Sequence, residues 1–112
     1  MKKILLIVMG VAMLAGCGSV VSYDDFAECL TDKGAVMYGS DLCSHCQDQK
    51  KMFGDSFEYI NFVNCDFHED ECLEALAYKF PTWKLNDEFM GDLGVKTFDE
   101  LSEATGCELP NE

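Results

Sequence analysis

The hydrophobic positions of this chain change period several times, and each change marks an element. Ile4 to Ala15 is an apolar run broken only by Gly10 and preceded by Lys2 and Lys3. It is shorter than the roughly 20 apolar residues a membrane-spanning helix needs, and it has the form of an export signal. From Tyr23 to Lys33, Phe26, Ala27 and Leu30 recur at helical spacing behind Asp24 and Asp25, with Gly34 as the stop. The run AVMYG, 35–39, is apolar and closed by glycine, the length of a buried strand. A helix opens around Cys43, capped by Ser40 or Asp41, and ends at Gly54. FEYINFVNC, 57–65, then alternates: Phe57, Tyr59, Asn61 and Val63 face one way, Glu58, Ile60, Phe62 and Asn64 the other. Apolar groups on both faces predict an interior strand.

Beyond it, HEDECLEALAYKF places Cys72, Leu73, Leu76 and Ala77 on one helical stripe, with acids in the first turn. PTWKL and EFMG flank Asn86-Asp87, the signature of a tight hairpin, and Trp83 continues a buried strand. Thr97 and Glu100 form a capping box for a last helix that buries Phe98, Leu101 and Ala104 and stops at Gly106. The expected order is helix, then strand–helix–strand–helix–strand–strand–helix, an α/β domain with a βαβ unit near its start.

Composition narrows the setting. At 112 residues the chain is one domain, small enough that covalent staples help it. Leu14-Ala15-Gly16-Cys17 resembles a bacterial lipobox, which implies cleavage before Cys17 and a lipid on its sulfur. The expected organisation is a signal peptide over 1–16, a lipidated tether over 17–22 and a domain over 23–112. Losing Lys2 and Lys3 leaves six lysines against 21 acids, a formal charge of −15, and there is no arginine. Such a charge argues against nucleic acid as a partner and against electrostatic adhesion to anionic lipid. The membrane link would be the lipid on Cys17, and the expected location is extracytoplasmic, on the periplasmic side or the cell surface of a bacterium.

Export makes disulfides permissible. Setting Cys17 aside leaves Cys29, Cys43, Cys46, Cys65, Cys72 and Cys107, an even set with many possible pairings. The favoured set is 43–46, 65–72 and 29–107. A bridge between Cys65, ending the second strand, and Cys72, in the next helix, would pin the loop between them; a relay role for this pair stays open. Cys29 and Cys107 would close the termini, worth about 4 kcal/mol in the chain-entropy picture. Cys43 and Cys46 close too small a loop to restrain the unfolded chain, so they make a poor staple. A metal site using Cys43, Cys46, His45 and His68 is the remaining alternative. Structural zinc would show a second close pair, whereas six residues separate Cys65 from Cys72.

CSHC after the first strand, and FPT entering the third some way later, make the chain resemble the thioredoxin fold from Ala35 to Thr105. That fold is a mixed four-stranded sheet flanked by helices, here with an extra N-terminal helix. The resemblance implies that Pro81 is cis and lies beside the active cysteines. The chemistry suits the position. Cys43 at a helix start faces unpaired amides and the positive end of the dipole, which support a thiolate nucleophile, and His45 adds a donor or a charge. Cys46, one turn in, suits the buried resolving thiol. Ser44 and His45 tune the potential. A histidine before the second cysteine occurs in the more oxidising members of that fold, which favours disulfide formation or shuffling over reduction.

MYGSDLCSHCQDQKKMFG, VNC…EC, FPTW and TFDELSEATGC are similar to the thioredoxin-like domain that accompanies bacterial vitamin K epoxide reductase homologues. The resemblance implies a domain that oxidises cysteines of exported proteins and is reoxidised by a separate quinone-linked membrane protein. Cys43 becomes the nucleophile, Cys46 the resolving thiol, Pro81 their cis neighbour, and Cys65 with Cys72 the second, shuttle or structural pair. Phe80 and Ser44 become substrate contacts; Phe80 could equally pack against the helix of Cys72. Leu42 and Ser44 stand where that family carries an aromatic and a proline, which leaves the direction of electron flow open. No organic cofactor is expected. The competing class on the same fold is a non-enzymatic, disulfide-stapled binding lipoprotein or metal chaperone.

Overall fold

The computed structural model describes residues 22–110. The expected signal peptide, the lipidation site Cys17 and all but the last residue of the tether lie outside the described residues. Four strands, β1 Ala35–Gly39, β2 Phe62–Asn64, β3 Thr82–Leu85 and β4 Glu88–Phe89, form one sheet in the order β2-β1-β3-β4. β1 runs parallel to β2, with Tyr38 opposite Val63, and antiparallel to β3, with Tyr38 opposite Thr82. Among the described residues four α-helices accompany them: α1 Asp24–Asp32, α2 Ser44–Phe53, α3 Glu69–Glu74 and α4 Phe98–Thr105. This is the expected thioredoxin-like arrangement.

The two-residue period of the strands sorts the core into two faces. Ala35 and Met37 of β1 join Trp83 of β3 and Phe26, Leu30, Cys46, Phe53 and Leu101 from α1, α2 and α4. Tyr38 and Val63 point the other way, onto Cys72, Ala75 and Ala77 around α3. Among the described residues no helix is long and apolar enough to cross a membrane. Asn86 and Asp87 turn the β3–β4 hairpin with positive φ values of 51° and 71°, the backbone that a two-residue hairpin requires. Thr97 and Glu100 form the capping box at the start of α4, and Gly106 ends that helix in the left-handed region.

Four expectations are corrected. The segment 57–65 is not one interior strand: Gly54–Tyr59 winds as a 3-10 helix, and β2 is a three-residue edge strand. The Thr31 hydroxyl explains part of this, since it donates to Tyr59 O (2.7 Å) and accepts from Asn61 N–H (3.1 Å). Those are backbone groups a longer strand would have given to a neighbour. α3 is also shorter than expected. It closes at Leu76, whose φ is 61°, with Ala77 N–H bonded back to Cys72 O and Leu76 N–H to Leu73 O, a Schellman ending. Cys72, Ala75 and Ala77 are buried while Leu73 and Leu76 are about half exposed. In α4, Leu101 is buried, Phe98 is half-buried and Ala104 is exposed. Neither Ser40 nor Asp41 caps α2; the cap is Cys43.

Candidate active site

α2 begins directly after Cys43, which holds an extended backbone at the N-cap, and the Cys43 sulfur accepts the Cys46 N–H at 3.3 Å. A hydrogen bond of this kind strengthens when the acceptor carries charge, and the helix dipole adds to it. Cys43 is half-buried and Cys46 is fully buried one turn in, and both carry free thiols. Gly39, at the end of β1, is what lets Cys46 fit: a Cβ there would lie 2.7 Å from the Cys46 sulfur and 3.2 Å from the Phe62 ring. Burial pushes the Cys46 thiol up to about 12, the hydrogen bond and charge of Cys43 add to that rise, and a backbone hydrogen bond from Ser40 opposes it. The two sulfurs are therefore unlike, one presented at a helix start and one held protonated beneath it.

The Phe80–Pro81 peptide is cis. The Cys43 thiol donates to Phe80 O at 3.7 Å, so the structure brings Phe80, Pro81 and the cysteine pair together. The Phe80 side chain packs on the cluster that contains Cys46 and Trp83, not on the face that holds Cys72. Ser44 and His45 are exposed on the first turn of α2. Among the described residues two of the three favoured bridges are formed, Cys65–Cys72 and Cys29–Cys107, whereas Cys43 and Cys46 stand as free thiols and not as the favoured third bridge. His68, at the N-cap of α3, is exposed. Among the described residues no group of three or more His, Cys, Asp or Glu side chains is arranged to hold a metal ion, so the quartet with Cys43, His45 and Cys46 is not assembled.

The loop ahead of Cys43 carries residues whose part here sequence reasoning missed. Ser40 O accepts the Cys43 N–H (3.2 Å), and Ser40 Oγ accepts the Leu42 N–H (3.0 Å) while donating to Asp66 Oδ2 (2.7 Å). Asp41 meets Lys50 Nζ at 2.5 Å and the Asn64 amide at 2.9 Å, and the Lys50 contact holds its carboxyl below the ordinary range. Gln49 is buried without exposure and bonds Trp83 Nε1 (2.9 Å) and both backbone groups of Lys96. The only sequence signals were a serine and an aspartate before the motif, which look like helix caps, and a glutamine one turn after Cys46.

No protein-family model matches the chain. Over 92 residues it is 38% identical to a protein of Arabidopsis thaliana named thiol-disulfide oxidoreductase LTO1, an alignment that takes in 74% of this chain and 24% of that protein. The chain thus spans about a quarter of the length of that protein. That similarity, the mixed sheet flanked by helices and the cysteine pairs together support a thioredoxin-like relationship and a redox role.

Proposed function

We propose that this protein is an extracytoplasmic thiol–disulfide oxidoreductase, held to a bacterial membrane by a lipid on Cys17, that forms or isomerises disulfides in exported proteins. The observation that carries the proposal is the asymmetry of the pair: Cys43 at the N-cap of α2 beside Phe80 O, and Cys46 fully buried one turn in. In the oxidising cycle a substrate thiolate attacks the Cys43 sulfur of a Cys43–Cys46 disulfide. That bond breaks, a mixed disulfide forms at Cys43, and Cys46 leaves with the electron pair and takes up a proton. With its pKa raised to about 12, Cys46 keeps that proton at neutral pH. A second substrate thiolate then attacks the substrate sulfur of the mixed disulfide and expels Cys43. Two electrons and two protons pass from the substrate dithiol to the pair.

Once Cys43 is in a mixed disulfide it has no thiol proton to give, and Phe80 O becomes free to accept an amide from an extended substrate. Ser44 and His45 sit beside that approach, and Pro81 fixes the path of the chain that presents the carbonyl. Reoxidation is assigned to a separate quinone-linked membrane protein of the vitamin K epoxide reductase type. The net negative charge and the absence of arginine suit a protein whose partners are polypeptide thiols rather than nucleic acid.

The test is the reduction potential of the Cys43–Cys46 pair, measured on the purified protein by equilibration with glutathione and mass spectrometry. A value of about −180 to −120 mV supports delivery of disulfides, whereas one near −270 mV reverses the flow and makes the protein a reductant. A pair that never exchanges sinks the proposal and leaves a stapled binding module. Cys43→Ser should abolish turnover. The mass of the N-terminal peptide from a membrane fraction decides whether Cys17 carries a lipid.

A further inference from the structure

We infer that Asn64 and Asp66, held in place by the Cys65–Cys72 bridge, are positioning residues for the Cys43–Cys46 pair. The inference rests on the redox reading of that pair and adds to it a device that sets the pair's geometry from a neighbouring strand end.

Three contacts tie the turn after β2 to the loop that delivers Cys43. Cys65 N–H donates to Gly39 O at 2.7 Å, the Asn64 amide donates to Asp41 Oδ2 at 2.9 Å, and Ser40 Oγ donates to Asp66 Oδ2 at 2.7 Å. Ser40, only 5% exposed, is the hub. Its carbonyl holds the Cys43 N–H and its hydroxyl oxygen holds the Leu42 N–H. A hydroxyl has one proton to give. With Asp66 as its acceptor, that proton is committed and a lone pair is turned toward Leu42. Without Asp66 the hydroxyl is a free rotor and the grip on Leu42 loosens.

Apolar packing cannot substitute for these contacts, because Leu42 is 90% exposed and Asp41 is also on the surface. A loop with few buried apolar contacts leans on its hydrogen bonds and opens easily. The turn itself is well fixed. Asn64 Oδ1 accepts the Asp66 N–H at 3.0 Å, and Asn64 O accepts the N–H groups of Phe67 and His68. Cys65 lies between Asn64 and Asp66, and its bridge to the buried Cys72 joins this turn to α3.

The experiment uses the full chain with two readouts: the pH profile of Cys43 alkylation by iodoacetamide, and the glutathione equilibrium constant of the pair. Asp66→Ala should change the equilibrium constant by about fivefold, the worth of one ordinary hydrogen bond, and displace the alkylation midpoint. Asp66→Asn, which keeps an acceptor oxygen, should restore most of it. Ser40→Ala combined with Asp66→Ala should do no more than Ser40→Ala alone, since Asp66 acts through the Ser40 hydroxyl. Cys65→Ala/Cys72→Ala should reproduce the Asp66→Ala shift, and the Asp66 variants decide the matter if that double variant fails to fold. A fall in melting temperature with both readouts unmoved would overturn the inference, as would additive effects of Ser40 and Asp66. A wild-type pair that does not exchange with glutathione defeats the redox reading instead, while the alkylation profile still decides the positioning.

Discussion

Cys46 is kept inert by what surrounds it rather than by its own chemistry. The glycine at 39 gives it room, the sheet and α2 exclude water, and the thiol is pushed up to about 12. Proton linkage makes this testable. The folded, reduced protein holds the Cys46 proton to about pH 12, whereas the unfolded chain releases it near the ordinary value of 9.0. A group that binds its proton more tightly when folded contributes stability below the unfolded pKa, and that contribution drains away as pH rises through the folded one. Reduced protein should therefore lose stability between about pH 9 and 12, at up to roughly 1.4 kcal/mol per pH unit beyond what Cys46→Ala loses. Urea midpoints across that range for both proteins provide the check, and parallel curves would refute it. At pH 8, iodoacetamide should modify only Cys43 of the Cys43–Cys46 pair in the native reduced protein, and reach Cys46 only after unfolding.

Among the elements, α2 is tied to the interior by a buried polar side chain. Gln49 accepts from Trp83 Nε1 and from Lys96 N–H at 2.7 Å, and donates to Lys96 O at 3.0 Å, all in the interior. It thereby joins the helix that carries Cys46 to the strand that follows Pro81 and to the segment that leads into α4. Gln49→Leu keeps the volume but leaves those buried groups without partners, and should cost about 3 kcal/mol by urea denaturation. A loss below about 1 kcal/mol would mean that water replaces the carboxamide.

Elements with local signals were legible in the sequence. α1 shows its apolar stripe, β1 its short run, the hairpin its Asn86-Asp87 pair, and α4 its Thr97 and Glu100 box, each written within a few residues. What was not legible depends on residues far apart in the chain. Tyr59 and Asn61 lose their strand partners to Thr31, 28 and 30 positions away. Ser40 bonds Asp66, 26 positions away, and the helix starts later than expected, with Cys43 as its cap. The close of α3 at Leu76 needs a left-handed residue where no glycine announces it. In the candidate site the motif and Pro81 were visible, while Ser40, Asp66 and Gln49, which hold it, became visible only once the strands were side by side.

For the whole molecule, the two bridges divide the labour between holding the fold and holding the site. Cys29–Cys107 spans 78 positions and joins α1 to the segment after α4, across the larger of the two core clusters. Cys65–Cys72 spans only 7 positions, on the other face of the sheet, yet it anchors the turn that grips the Cys43 loop. In the chain-entropy picture the long bridge is worth about 4 kcal/mol and the short one about 2.5 kcal/mol. Hydrogen bonds around Cys29 and Cys107 run within the ends of α1 and α4. None of these contacts reaches residues 39–43. Cys29→Ala/Cys107→Ala should therefore lower the urea midpoint more than Cys65→Ala/Cys72→Ala does, while leaving the Cys43–Cys46 glutathione equilibrium where it was. The short-bridge variant should do the reverse, with the smaller loss of stability and the larger shift in equilibrium. Stability and redox equilibrium measured on the same two proteins decide it. If both quantities move in proportion in both variants, the bridges act only as staples and the site is set by overall stability alone.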